Sequence, residues 1–107
     1  EVSLTDNVKI ITNSTETINS PADFLFEKIQ LADIKGGNTI EESAKIFHKV
    51  LSGEGSEAQN NVVLVNSALA IQTISELSYS DSLEKAKESL FSKMALQKLN
   101  TLIKLSN

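Results

Sequence analysis

The 107-residue sequence contains no cysteine, no arginine and no tryptophan. Without cysteine there is no disulfide framework and no thiolate metal site. All ten basic residues are lysine, so any phosphate contact would come from an ammonium group or a backbone N–H, not from a bidentate guanidinium. No apolar run approaches the roughly 20 residues of a membrane span, and the opening residues lack a basic-then-apolar signal pattern. These absences predict a soluble intracellular protein, located in the cytoplasm.

The composition fits one small domain with an acidic balance. Apolar residues make up 40% of the chain, and the formal net charge is −4. A chain this short buries only roughly 60–65% of its unfolded surface, so it is marginally stable without partners. The negative charge argues against nucleic acid or an anionic membrane as a partner. Because the first residue is Glu and not Met, we expect a processed or trimmed chain.

Residues 1–37 are rich in β-formers and turn residues. Apolar and polar residues alternate over residues 2–5, and β-branched residues fill Val8–Thr12 and part of Thr15–Asn19. Turn residues separate the three runs, which predicts a short β-meander. Ser20 and Pro21 then predict a short helical turn over residues 21–26.

Residues 38–107 are rich in helix formers. Asn38 and Thr39 are each followed three residues later by glutamate, at Glu41 and Glu42, which predicts a capped helix that ends at the glycines 53 and 55. A polar loop over residues 54–60 would lead to a buried helix over residues 62–74, since nearly every residue there is apolar. Asp81 or Ser82 would cap a last helix that runs to about residue 105, with a bend at Ser92-Lys93. The chain is thus predicted to be α+β, a short β-meander followed by three main helices.

Four separated segments resemble one enzyme family in order and with near-family spacing. They are E-V-S-L-T from Glu1, I-K-G-G-N-T-I-E-E-S from Ile34, N-N-V-V-L-V-N-S-A-L-A from Asn60, and S-L-E-K-A-K-E-S-L from Ser82. Together they resemble the carboxy-terminal part of the anthranilate phosphoribosyltransferases. In that family a G-G-[DN] step opens a capped helix, a buried helix with a V-L-L-N-A-A core follows, and a later helix starts S-L-E-E.

The resemblance implies a glycosyltransferase of tryptophan biosynthesis. The intact enzyme would join anthranilate to the ribose of phosphoribosyl pyrophosphate and release pyrophosphate, with Mg²⁺ neutralising the leaving group. Residues 1–107 would be the last part of an α/β domain of the nucleoside phosphorylase/phosphoribosyltransferase type, and the remainder of the parent chain would be a partner. The family tends to form homodimers through amino-terminal helices that this chain does not contain.

The resemblance also shows what this chain lacks. The phosphate-binding G-T-G-G-D loop, the K-H-G-N segment and the anthranilate-contacting arginine are absent, so no catalytic or substrate-binding residue is assigned. Gly36-Gly37 matches the helix-start glycines of the family and not its phosphate loop. Glu1 corresponds to the second member of the acidic pair that helps to hold Mg²⁺, and it is the single predicted metal ligand. The isolated chain is therefore expected to be inactive.

Two positions depart from the family pattern where the family writes glycine. Leu25 stands in D-F-L-F where the family tends to have D-F-G-[LF], which puts the local turn geometry in question. Lys93 stands where many members have Ser-Gly, which favours a continuous or gently bent last helix.

Other polar residues have structural interpretations. His48 is interpreted as a surface or boundary residue, because no Asp or Ser is spaced to work with it as a general base. Asn66, inside an apolar helix, is expected to be a buried hydrogen-bonding residue. Glu41 and Glu42 are expected to cap a helix and interact with its dipole. Two other hypotheses remain open: a free-standing helical interaction module, and a nucleic-acid-binding relative of the same fold.

Overall fold

The computed structural model describes residues 1–107 as a small antiparallel hairpin followed by two 3-10 turns and four α-helices. The strands β1 (Val8–Ile11) and β2 (Glu16–Asn19) pair with Val8 opposite Asn19 and Ile11 opposite Glu16. The 3-10 turns are Pro21–Phe24 and Leu31–Ile34, and the helices are α1 (Ile40–Leu51), α2 (Glu57–Ile74), α3 (Tyr79–Phe91) and α4 (Met94–Ser106). The α+β composition predicted from the sequence is confirmed.

The predicted three-stranded meander is wrong, because residues 2–5 do not form a strand. Leu4 has a left-handed φ of 62°, which no strand residue adopts. The Leu4 carbonyl accepts a hydrogen bond from the Ile29 N–H (3.0 Å), and the backbone of Val2 pairs with the side chain of Asn66. The hydrogen bonds that a third strand would have made are thus used elsewhere, and the sheet has two strands.

The starts of α1 and α2 follow from local capping chemistry. The Thr39 hydroxyl accepts a hydrogen bond from the Glu42 N–H (3.1 Å), and the Glu42 carboxylate accepts one from the Asn38 N–H (2.7 Å). This confirms the predicted cap. Ser56 and Gln59 form a reciprocal capping box that starts α2 at residue 57. The polar loop predicted over residues 54–60 is therefore too long, since helix formation begins inside it.

Helix α2 lies at the centre of the molecule and packs on two sides. One side joins α3 in a cluster that consists of Leu64, Ala68, Leu83, Ala86 and Leu90. The other side contributes Val65 to a second cluster with the buried side chains of the amino-terminal segment and the first 3-10 turn, namely Val2, Leu4 and Phe24. Packing on two neighbouring faces explains why the apolar residues of α2 are spread widely around the helix.

The prediction of three main helices is also wrong, since there are four. The Ser78 hydroxyl caps α3 by accepting from the Asp81 N–H (3.1 Å), so the helix begins before Asp81 and Ser82, which were the predicted caps. Ser82 is instead a fully buried small residue of α3. The predicted bend at Ser92-Lys93 is a break, because Lys93 adopts left-handed φ and ψ of 68° and 14°. The expected continuous or gently bent helix is corrected to two separate helices.

Tyr79, which no sequence pattern marks, joins the two clusters. Its hydroxyl donates a hydrogen bond to the Phe24 carbonyl (2.7 Å), and its ring packs against the Phe24 ring at a centroid distance of 5.9 Å. Burial raises the pKa of Tyr79 to about 12, so the hydroxyl remains a donor at neutral pH. The start of α3 thereby contacts the first 3-10 turn, Pro21–Phe24.

No helix of the structure has both the length and the apolar character needed to cross a membrane.

The left-handed Lys93 generates a stability prediction. A left-handed backbone costs an ordinary L-residue about 1–2 kcal/mol, whereas glycine adopts it freely but loses more entropy on folding. We expect Lys93→Gly to raise the free energy of unfolding by about 0.5–1 kcal/mol, measured by urea denaturation. The exposed ion pair of Lys93 with Glu54 (3.8 Å) contributes little to set against this gain.

Lys98→Gly is the matched control, because it makes the same substitution in the interior of α4. It should lower the free energy of unfolding by about 1 kcal/mol. Equal effects of the two substitutions would contradict the left-handed assignment at Lys93.

Candidate functional site

Glu1 lies at the edge of an open cleft between the amino-terminal segment, β1 and the second half of α2. The cleft has a volume of about 850 Å³, and its polar lining includes Glu1, Lys9, Asn66 and Gln72. Glu1 itself is exposed. Its neighbour Val2 is only 4% exposed, so the backbone that carries Glu1 is anchored one residue away.

The anchor is a bidentate contact between the Asn66 side chain and the Val2 backbone. The Asn66 Oδ1 accepts from the Val2 N–H (2.9 Å), and the Asn66 Nδ2 donates to the Val2 carbonyl (2.7 Å). The same Nδ2 also donates to the Val62 carbonyl (2.9 Å) in the preceding turn of α2. Both donor hydrogens of the amide are therefore used, and the hydrogen-bonding role predicted for Asn66 is confirmed, with the residue half-buried and not buried as expected.

The residues of this chain do not by themselves form a magnesium site. No group of three or more His, Asp or Glu side chains is close enough to hold a metal ion. Glu1 is the single carboxylate that lines its cleft, and the basic Lys9 lines it too. Mg²⁺ prefers six oxygen ligands, usually one or two carboxylates with phosphates and water, so one carboxylate is insufficient. Glu1 as a metal ligand stays a prediction that requires further groups from outside this chain.

The glycine pair before α1 and the glutamate pair in its first turn both have structural roles. A Cβ on Gly37 would lie 2.6 Å from both the Glu42 Cβ and the Ser43 nitrogen, whereas a Cβ on Gly36 would meet nothing within 4 Å. Gly37 therefore lets the chain pass close to the first turn of α1. Glu42 takes part in the cap, and Glu41 lies in the same first turn, where carboxylates favour the helix dipole.

His48 is an exposed residue of α1, as predicted. It lies beside a shallow depression whose polar lining includes Lys45, Lys49 and Glu54. Its side chain makes no hydrogen bond, and the Ser52 hydroxyl donates to its backbone carbonyl and not to its ring. Nothing in this arrangement orients the imidazole for proton transfer.

Several curated proteins that the chain resembles carry the name anthranilate phosphoribosyltransferase. The chain is 49% identical to that of Flavobacterium johnsoniae and 48% identical to that of Flavobacterium psychrophilum, in each case over 106 residues, which is 99% of this chain and 32% of the relative. It is 41% identical over 108 residues to that of Bacteroides thetaiotaomicron, covering 100% of this chain and 32% of the relative. No protein-family model matches the chain.

These matches confirm the resemblance stated from the sequence. Curated relatives of this one name match essentially the whole chain, and the chain spans about a third of the length of those it matches. The relatives with this name are thus about three times as long as the region that matches the chain.

The Asn66 contact predicts a large loss of stability on truncation. We expect Asn66→Ala to lower the free energy of unfolding by about 2–3 kcal/mol, because it leaves partly buried backbone groups of Val2 without partners. Urea denaturation followed by circular dichroism measures the effect. Asn100→Ala, at an exposed position of α4, is the control and should change stability by less than about 0.5 kcal/mol. A similar effect at both positions would contradict the anchoring role.

Substitution by alanine is predicted to have different effects at the two glycines before α1. Gly37→Ala should destabilise the start of α1, since its methyl group would overlap the backbone of the first turn, while Gly36→Ala should leave stability unchanged. Hydrogen exchange at the amide of Glu42 reports the cap directly and should be faster in Gly37→Ala alone. Equal exchange rates in the two variants would show that the close approach at Gly37 is wrong.

Proposed function

We propose that this chain forms part of an anthranilate phosphoribosyltransferase of tryptophan biosynthesis, acting in the cytoplasm. The observation that carries the proposal is the match of essentially the whole chain, at 41–49% identity, to curated relatives with that name. The reaction would form a bond from the anthranilate nitrogen to the ribose and release pyrophosphate from phosphoribosyl pyrophosphate. Anthranilate and phosphoribosyl pyrophosphate are the proposed substrates of the whole protein, and a homodimer is its proposed assembly.

The proposed place of residues 1–107 is the carboxy-terminal part of an α/β domain of the nucleoside phosphorylase/phosphoribosyltransferase type. In support, β-structure and 3-10 turns precede residue 38, and helices α1 to α4 follow it. The G-G-N segment lies just before α1, whereas V-L-V-N lies in α2 and S-L-E lies in α3, each at a position with a structural role. This part of the enzyme would therefore act chiefly as a scaffold.

Glu1 is the residue through which the scaffold would reach the reaction. We assign it as one carboxylate ligand of Mg²⁺, with the remaining ligands supplied by other parts of the enzyme and by the substrate. Bound there, the metal would neutralise charge on the leaving pyrophosphate. The contribution of this chain is to hold the backbone beside Glu1, because Val2 is buried and bound to Asn66.

The nucleic-acid-binding alternative has little support. The net charge is −4 and arginine is absent, whereas proteins that bind nucleic acid without catalysis depend on cationic contacts to phosphate.

The test replaces the matching third of the Flavobacterium johnsoniae enzyme with residues 1–107 and measures anthranilate consumption with phosphoribosyl pyrophosphate and Mg²⁺. We expect the chimera to turn over and the isolated chain to be inactive. Glu1→Gln in the chimera should lower activity at least tenfold and raise the Mg²⁺ concentration needed for half-maximal rate, because a carboxylate ligand is lost.

Glu76→Gln is the matched control, since Glu76 is exposed and makes no ion pair. A folded chimera without turnover would sink the enzymatic proposal and favour an interaction module. Turnover by the isolated chain would overturn the scaffold role.

A further inference from the structure

Helix α1 presents an apolar face that the chain leaves largely uncovered. Its large apolar residues recur at helical spacing, and they are Ile40, Ile46, Phe47, Val50 and Leu51. Of these only Val50 is buried, while Ile40 is 86% exposed and Phe47 is 58% exposed. A 12-residue helix held by one buried side chain gains little from packing, so most of the apolar face remains available to another group.

This face forms one wall of a groove of about 310 Å³. The second wall is the first half of α2, and the floor is closed by the segment that precedes α1. Apolar side chains dominate the lining, which includes Ile34, Ile46, Phe47, Val50, Leu51, Val62 and Val63. Lys35 is the one charged residue of the lining, so the groove suits an apolar polypeptide segment and not a charged ligand.

The chain exposes more surface than is typical of a folded monomer of its mass. A folded monomer of 11.6 kDa is expected to expose about 5,800 Å², whereas this chain exposes 7545 Å², an excess of about 1,700 Å². The radius of gyration is 14.8 Å, compared with about 13 Å for a typical domain of this length. A standard complex takes about 800 Å² from each partner, so an excess of this size favours a larger, obligate type of contact.

The position of the exposed apolar residues favours a large partner over a second copy. Besides the groove, Ile11 and Ile18 are exposed on the hairpin, and Leu102 and Leu105 are exposed on α4. A two-fold contact between copies covers one patch on each. About two thirds of each matched relative lies outside the region of similarity, which is a polypeptide large enough to cover several faces.

We propose that the groove beside α1, with Phe47 as its central contact, binds an apolar segment from the part of the enzyme that this chain does not match. The proposal rests on the proposed function, since that function supplies the partner. Phe47 is the aromatic side chain of the groove, and aromatic residues at the centre of an interface commonly carry the largest share of binding energy.

The test co-expresses residues 1–107 with the unmatched part of the Flavobacterium johnsoniae enzyme and measures the complex by size-exclusion chromatography with light scattering. We expect a one-to-one complex, which Phe47→Ser weakens at least tenfold. Lys45→Ser is the control, because Lys45 precedes Phe47 by two positions and lies about 160° away around α1. It should change affinity less than twofold. A dimer of this chain in place of the complex, or equal effects of both variants, overturns the proposal.

A second measurement covers the case in which the separate parts do not fold together. In the covalent chimera Phe47→Ser should lower the melting temperature by ~3 °C or more, while in the isolated chain it should have almost no effect. Similar small changes of melting temperature in both proteins would contradict the proposal that the groove binds an apolar segment. The outcomes also separate the two proposals: a chimera that turns over but tolerates Phe47→Ser removes only the groove, and a complex that forms without turnover removes only the enzymatic function.

Discussion

The fold depends on one side chain, Asn66, which binds the backbone of a segment 64 residues away in the chain. Its amide supplies an acceptor for the Val2 N–H and a donor for the Val2 carbonyl, as a neighbouring strand would. Val2 and Leu4 are thereby held against Val65, where they complete the second cluster. Asp in its place could accept from the Val2 N–H but could not donate to the Val2 and Val62 carbonyls, and Leu could make none of these hydrogen bonds.

Two departures from the family pattern show how tertiary structure overrides local preference. Leu25 and Lys93 stand where the family tends to write glycine, and both adopt left-handed φ, 66° and 68°. Packing of the elements on either side is worth more than the roughly 1–2 kcal/mol that such a backbone costs each residue. The turn geometry questioned at Leu25 is retained, and the last helix breaks at Lys93 although lysine favours helix.

The candidate site and the uncovered apolar faces have a common explanation. Glu1 is the single carboxylate of an open cleft, and the α1 groove has apolar walls. Each feature needs groups from outside this chain, since a metal ion needs more ligands and an apolar groove needs a covering segment. Both agree with relatives about three times as long as the region of similarity. Asn66 connects them physically, because it joins the segment beside Glu1 to the helix that forms one wall of the groove.

The sequence by itself determined the local structure and the resemblance. The Thr39 cap, the end of α1 near Gly53, both hairpin strands and the structural role of Asn66 could be predicted, because short-range spacing and side-chain chemistry decide them. Only the tertiary structure decided that residues 2–5 form no strand and that Tyr79 joins the two clusters. Those outcomes depend on contacts with Asn66, Ile29 and Phe24, which are distant in sequence, and no local pattern contains the free energy of such contacts. The Ser78 cap that starts α3 is by contrast a local signal, and Lys93 divides two helices against its own helix preference.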